Sequence, residues 1–158
     1  MSASGRAATR RNRPLAFAVS DNVLDAAREP FFAIVSPWAM VRILLAEDDD
    51  QLRVFLSRGL QKAGHIVDSA GDGMAALDLA QQNNFDLLLT DVVMPGLDGI
   101  ELARKVAERQ PGIRIMFITG FAAVAMREEG LSQNRPRVLA KPFHLRYLIE
   151  EIEALFLE

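Results

Sequence analysis

The 158-residue chain contains no cysteine, so a disulfide scaffold and a thiolate metal centre are both excluded and a reducing compartment is permitted. It has no apolar run long enough to span a bilayer: PFFAIVSPWAM, residues 30–40, is too short and is broken by Pro37. No P-loop lysine motif and no G-x-S-x-G elbow occurs, which removes the hydrolases built on those loops. A basic recognition helix is missing as well. Residues 40–158 carry 13 Lys and Arg against 18 Asp and Glu, and an acidic body is a poor partner for nucleic-acid phosphates. No internal repeat or low-complexity tract interrupts this body.

What is present is ordinary globular material. The chain is 50% hydrophobic and 25% charged, which fits one domain with room for a tail and leaves little space for a separate substrate domain. Residues 1–39 differ from the rest. They are rich in Ser, Ala and Arg, carry five Arg against three acids, and are interrupted by Pro14, Pro30 and Pro37. The composition predicts a disordered tail or an upstream extension, with Met40 favoured as the true start over a targeting segment.

From Met40 onward strand-like and helix-like pieces alternate with short connections, the pattern of an α/β fold with a parallel sheet. VRILLA (41–46), HIVDSA (65–70), DLLLTD (86–91), RIMFIT (114–119) and RVLA (137–140) read as strands. Between them lie helical patterns. The first carries Leu52, Phe55, Leu56 and Leu60 and is stopped by Gly64. The second carries Met74, Leu77 and Ala80, and the third is DGIELARKVAERQ (98–110). A short fourth is expected from Ala122 to about Glu129, and HLRYLIEEIEALF closes the chain with Leu145, Leu148, Ile149, Ile152, Leu155 and Phe156 on one face. This is a doubly wound (βα)₅ arrangement, in which ligands bind beyond the carboxyl ends of the strands.

The strand ends are polar. The first delivers Glu47, Asp48 and Asp49; the third delivers Asp91; the fourth delivers Thr119; the fifth delivers Lys141. If the first and third strands are neighbours, carboxylates converge, and such a group needs a cation or a raised pKa. All-oxygen ligands suit Mg²⁺. The bland alternative is that EDDDQ is an acidic helix start favoured by the macrodipole, which loses ground once Asp91 and Lys141 stand at matching strand ends. Opposite the acids, Lys141 becomes a phosphate or carboxylate partner, and its bond to Pro142 is a candidate cis peptide. His65 and His144 read as loop surface and as a residue of the last helix's first turn.

AGDGMAA offers Gly71-x-Gly73-x-x-Ala76 with Asp91 twenty residues on, a match to the dinucleotide fingerprint. It is rejected. That fingerprint opens the first strand-helix unit, whereas an acid-tipped strand precedes it here, and Asp72-Gly73 makes a better turn into a helix.

An acid pair after the first strand, Asp then M-P-x-x-D-G after the third, Thr after the fourth and Lys-Pro after the fifth resemble the receiver domain of two-component response regulators, over residues 41–157. The resemblance implies a flavodoxin-like sheet of order 2-1-3-4-5. It implies Asp91 as phosphoacceptor, Glu47, Asp48 and Asp91 with the Val93 carbonyl as Mg²⁺ ligands, and Thr119 and Lys141 as partners of the phosphoryl group. It further implies a histidine kinase or histidine phosphotransfer protein as donor, and no enzymatic turnover beyond autophosphorylation and slow autodephosphorylation. The haloacid-dehalogenase-like phosphatases carry a second Asp two positions after the nucleophile, where this chain has Val93. Receivers often place an aromatic three positions before the lysine, where this chain has Val138, with Phe121 the nearby substitute.

RILLAEDD, LLLTDVVMPGLDGIELAR and IMFITGFAAVA are similar to stand-alone receivers of alphaproteobacteria. That likeness implies a cytoplasmic adaptor, found at a cell pole, that engages the ClpXP protease (ClpX with ClpP) when unphosphorylated and promotes degradation of cell-cycle regulators. A phosphorelay shuttle is the alternative. Signalling is expected through the 122–129 helix, the 137–140 strand and the last helix, with EEGLSQNRPR (128–137) as a polar connection on that face.

Overall fold

The computed structural model describes residues 40–120 and 130–158. The expectations for residues 1–39, for the helix from Ala122 to about Glu129 and for Phe121 lie outside the described residues.

Five strands form one sheet: β1 (Arg42–Ala46), β2 (Ile66–Ala70), β3 (Leu87–Thr90), β4 (Arg114–Thr119) and β5 (Arg137–Ala140). Every pairing is parallel and the order is β2-β1-β3-β4-β5, so the flavodoxin-like arrangement is the one observed. The helices are α1 (Asp50–Lys62), α2 (Gly73–Gln82), α3 (Gly99–Arg109) and α4 (Leu145–Leu157), with a 3₁₀ turn at Ser132–Asn134.

Parallel strands are covered on both faces, and alternation along them sorts residues between two cores. Leu44, Ala46, Leu88, Ile115 and Phe117 join Ala76 and Ala80 of α2 and Leu102, Ala103 and Val106 of α3. Ile43, Leu45, Leu87, Leu89, Met116 and Ile118 join Leu56 and Leu60 of α1 and Leu148, Ile149, Ile152 and Leu155 of α4. Three consecutive leucines in β3 thus serve two cores. That double burial holds the strand rigidly where it ends.

Local signals set the helix ends. Asp49, Asp72 and Asp98 cap α1, α2 and α3, each accepting a backbone N–H from the first turn through its carboxylate. Gly64, at φ 96°, takes the left-handed backbone that ends the run after α1. Gly73 is buried at the start of α2 against the Leu97 carbonyl, so the glycine of the rejected dinucleotide fingerprint serves close packing.

Several sequence expectations need correcting. Phe55 and Met74, placed on apolar helix faces by spacing, are 55% and 56% exposed. A helical apolar stripe is broad, and both residues fall at its edge. His65 is not loop surface. Its N–H bonds the Leu60 carbonyl at 3.1 Å, and its ring is buried, with Nδ1 accepting the Val41 N–H at 3.3 Å. The polar connection, described over residues 130–137, is partly buried. Leu131 and Asn134 are buried, and Asn134 Nδ2 donates to the carbonyls of Pro111 and Ile113 at 3.0 and 2.8 Å. His144 is exposed and stands at the N-cap of α4, one residue before its first turn.

Candidate functional site

Sheet register builds the site. Ala46 is level with Thr90, so the next residues, Glu47 and Asp91, leave the sheet side by side. The Asp91 N–H continues the ladder to the Ala46 carbonyl at 3.0 Å, and the Glu47 N–H bonds the Ala70 carbonyl at 3.1 Å. Thr119 is level with Ala140, and the Lys141 N–H bonds the Thr119 carbonyl at 3.0 Å. The Lys141-Pro142 peptide is cis. The Lys141 Nζ donates to Asp91 Oδ2 at 2.7 Å and to Glu47 Oε2 at 2.9 Å.

The strand-end residues divide into two groups. Glu47, Asp91 and Thr119 are buried, whereas Asp48 is exposed at the rim. Carboxylate oxygens of Glu47, Asp48 and Asp91 all lie within 4.8 Å of one another. Asp49 leaves this group to cap α1, and Asp50 pairs with Arg53. The acidic helix start and the acid pocket are both real, and they use different residues of the run.

Charge balance explains the electrostatics. Burial raises the Glu47 carboxyl above its ordinary value, and the Asp91 charge adds to this; the hydrogen bonds from Lys141 and the Asp49 N–H and the Lys141 charge only partly offset it. Burial alone would lower the Lys141 ammonium, but its hydrogen bonds to Asp91 and Glu47 and their charges outweigh that and raise it. Both directions hold together. Two carboxylates share one ammonium, which leaves a surplus negative charge in a poorly solvated place.

The loop after β3 is shaped around Asp91. The Val93 N–H donates to Asp91 Oδ1 at 3.3 Å, and Val93 itself is 53% exposed. The Gly99 N–H bonds the Val92 carbonyl at 2.8 Å, and a Cβ on Gly99 would run into the Asp91 carbonyl oxygen. Val138 is half-buried and packs on the core shared with α2 and α3. Sequence reasoning missed Arg53. Its Nη1 donates to the Glu47 carbonyl oxygen at 2.8 Å, and its Nη2 pairs with Asp50 Oδ1. The available signal was its place three residues after Asp50, on the helix that follows the acid pair.

The sequence profile of the family described as "Response regulator receiver domain" matches residues 43–153. The chain belongs to this family. Among relatives of the receiver, the response regulator receiver protein CpdR of Brucella abortus is 52% identical over 118 residues, which are 75% of this chain and 98% of that protein. The response regulator MprA of a Mycobacterium species is 38% identical over 115 residues, 73% of this chain and 50% of MprA. The response regulator TrrA of Thermotoga maritima, solved in complex with Mg²⁺-BeF, superposes with a TM-score of 0.65 at 28% identity, over 73% of this chain and 99% of that one.

A receiver domain implies a histidine kinase or phosphotransfer partner, and receivers bind Mg²⁺ at an acidic pocket. The pocket here fits that ion. It offers a compact set of hard carboxylate oxygens, with one at the rim, and a surplus of negative charge that Lys141 does not neutralise. Among the described residues, no helix is long and apolar enough to cross a membrane.

Proposed function

We propose that this chain is a single-domain response regulator, with residues 40–158 as the receiver, that takes a phosphoryl group on Asp91 from a phosphohistidine of a kinase or phosphotransfer protein. The observation that carries this reading is the Lys141 ammonium held between Asp91 and Glu47 at 2.7 and 2.9 Å. In the reaction an Asp91 carboxylate oxygen attacks phosphorus. The new P–O bond forms as the P–N bond breaks, and the electron pair stays on the imidazole nitrogen of the donor. Lys141 turns its N–H groups from the carboxylates to the transferred oxygens, and Thr119 donates its hydroxyl to the same group. Glu47, Asp48, Asp91 and the Val93 carbonyl are the proposed Mg²⁺ ligands, and the bound ion would supply positive charge against the phosphoryl oxygens. With Val93 where a second acid would stand, no side chain there activates water for steady hydrolysis.

The output we propose is a phosphorylation-gated adaptor for the ClpXP protease, acting in the cytoplasm and at a cell pole on cell-cycle regulators. The likeness to CpdR, a protein matched over nearly its whole length, supports this reading over a shuttle role. A pulldown from purified ClpX, with and without beryllofluoride and Mg²⁺, tests it. Capture by the untreated chain and release on treatment is the expected result. Equal capture in both states, or none, sinks the adaptor reading. Transfer of label from the phosphorylated chain to a second histidine protein, without ClpX capture, would favour the shuttle.

A further inference from the structure

Glu47 has its polar groups taken on every side. Its N–H bonds Ala70, its Oε1 accepts the Asp49 N–H at 3.1 Å, its Oε2 accepts Lys141, and its carbonyl oxygen accepts Arg53 Nη1 at 2.8 Å. The last of these bonds belongs to the peptide that joins Glu47 to Asp48. A peptide unit is planar, so fixing its carbonyl fixes the N–H on the other side and the direction in which the Asp48 Cα leaves. Asp48 needs that help. It is exposed, and its carboxylate has no hydrogen-bond partner among the described residues, yet it lies within the cluster formed with Glu47 and Asp91.

Arg53 is itself fixed from two sides. Asp50 takes Nη2 of the planar fork, and Gly71, just past the end of β2, leaves the space the guanidinium occupies. A Cβ on Gly71 would stand 3.0 Å from Nη1. The contact is with the far end of a flexible side chain, so a larger residue there would be accommodated by displacement of Arg53.

We propose that Arg53 is a positioning residue for the divalent cation, holding the Glu47-Asp48 peptide so that Asp48 faces the pocket, with Gly71 as the gap that admits its guanidinium. The proposal rests on the reading of Glu47, Asp48 and Asp91 as the metal ligands. Arg53 touches neither the ion nor the phosphoryl group. It acts as the partners behind metal ligands do, where loss of such a contact costs about 10-fold or more in metal affinity.

The sign of the effect separates this role from a bystander's. A guanidinium near a cation site repels the cation, so on Coulomb grounds alone its removal should tighten Mg²⁺ binding. Positioning demands the reverse. The experiment is calorimetric titration of Mg²⁺ into the full chain, unphosphorylated, for wild type, Arg53→Ala, Arg53→Lys, Gly71→Val and Asp50→Asn, with a thermal melt in chelator for each. Arg53→Ala and Gly71→Val should bind about 10-fold more weakly, and Arg53→Lys should fall between them and wild type. Asp50→Asn keeps the bond to Glu47 and should stay within about twofold. If Arg53→Ala binds as tightly as wild type or more tightly, the positioning role is overturned. Were Arg53→Ala not to fold, Gly71→Val, which keeps the charge and moves it, decides the matter in the same way. If wild type takes up no Mg²⁺, the metal site itself is overturned.

Discussion

Lys141 Nζ lies 2.7 Å from Asp91 Oδ2, across 50 residues of sequence, and holds a carboxylate that would otherwise face Glu47 unshielded. Removing the ammonium leaves two buried carboxylates opposed. Lys141→Met should therefore lose about 1–3 kcal/mol of stability, less than a fully buried pair would cost because the lysine side chain is 25% exposed. Mg²⁺ should restore more stability to this variant than it adds to wild type. Urea melts in chelator and in Mg²⁺ measure both, and an unchanged midpoint in chelator would show that the contact carries no weight.

Asp91→Asn keeps the shape of the side chain and removes the carboxylate proposed as the nucleophile. The variant should take up no phosphate from labelled acetyl phosphate in Mg²⁺ buffer, while wild type does. Equal labelling of the two proteins would mean that phosphate goes elsewhere, and the assignment of Asp91 would fall.

Burial lowers the His65 imidazole below its ordinary value, and its Nε2 has no hydrogen-bond partner among the described residues. The folded state disfavours the proton, and protonation of Nδ1 would also take away the acceptor of the Val41 N–H. A depressed folded pKa gives stability that is complete above the unfolded histidine value of about 6.5 and is lost as pH falls through the folded value. Denaturant midpoints should thus drop on acidification below about pH 6.5 in wild type, and drop less in His65→Phe. Parallel curves for the two would exclude this histidine as the cause.

Glycine at 99 is required by the closeness of the Asp91 carbonyl, whereas nothing lies within 4 Å of a Cβ built on Gly112. Gly99→Ala should cost about 1–3 kcal/mol and perturb phosphorylation as the loop backs away from Asp91. Gly112→Ala should be neutral or stabilising by about 0.4–1 kcal/mol. Thermal melts of the pair check both, and equal effects would contradict the packing described at Asp91.

The family match begins at residue 43, after a first segment rich in Ser, Ala and Arg and interrupted by three prolines. A chain starting at Met40 should melt within about 2–4 °C of the full chain. A larger fall in calorimetric melting temperature would show that residues 1–39 contribute to the fold.

Much of this protein could be read from sequence because its signals are local and strong. Short apolar runs ended by Glu47, Asp91, Thr119 and Lys141 gave the strands and their polar tips, whereas the capping roles of Asp49, Asp72 and Asp98 emerged with the structure. The residues that escaped were those whose fate depends on a neighbour distant in sequence. His65 is buried because β2 pairs beside β1, and Asn134 is buried because two carbonyls after α3 need a donor. Phe55 and Met74 are exposed because each lies at the edge of its helix's buried stripe. Helical periodicity names a stripe but not its edges.

By itself the sequence determined the order of elements, the residues at their ends and the family, since all three are written in runs and motifs along the chain. The motif already pointed to Glu47 and Asp48 within the EDDDQ run, and only the tertiary structure showed what fixes them there and where Asp49 and Asp50 go instead. Register sets Glu47 beside Asp91, the N-terminus of α1 draws Asp49 away as a cap, and Lys141 and Arg53 hold what remains. Those contacts depend on parallel strands meeting level at their carboxyl ends, a relation in space that linear order does not contain.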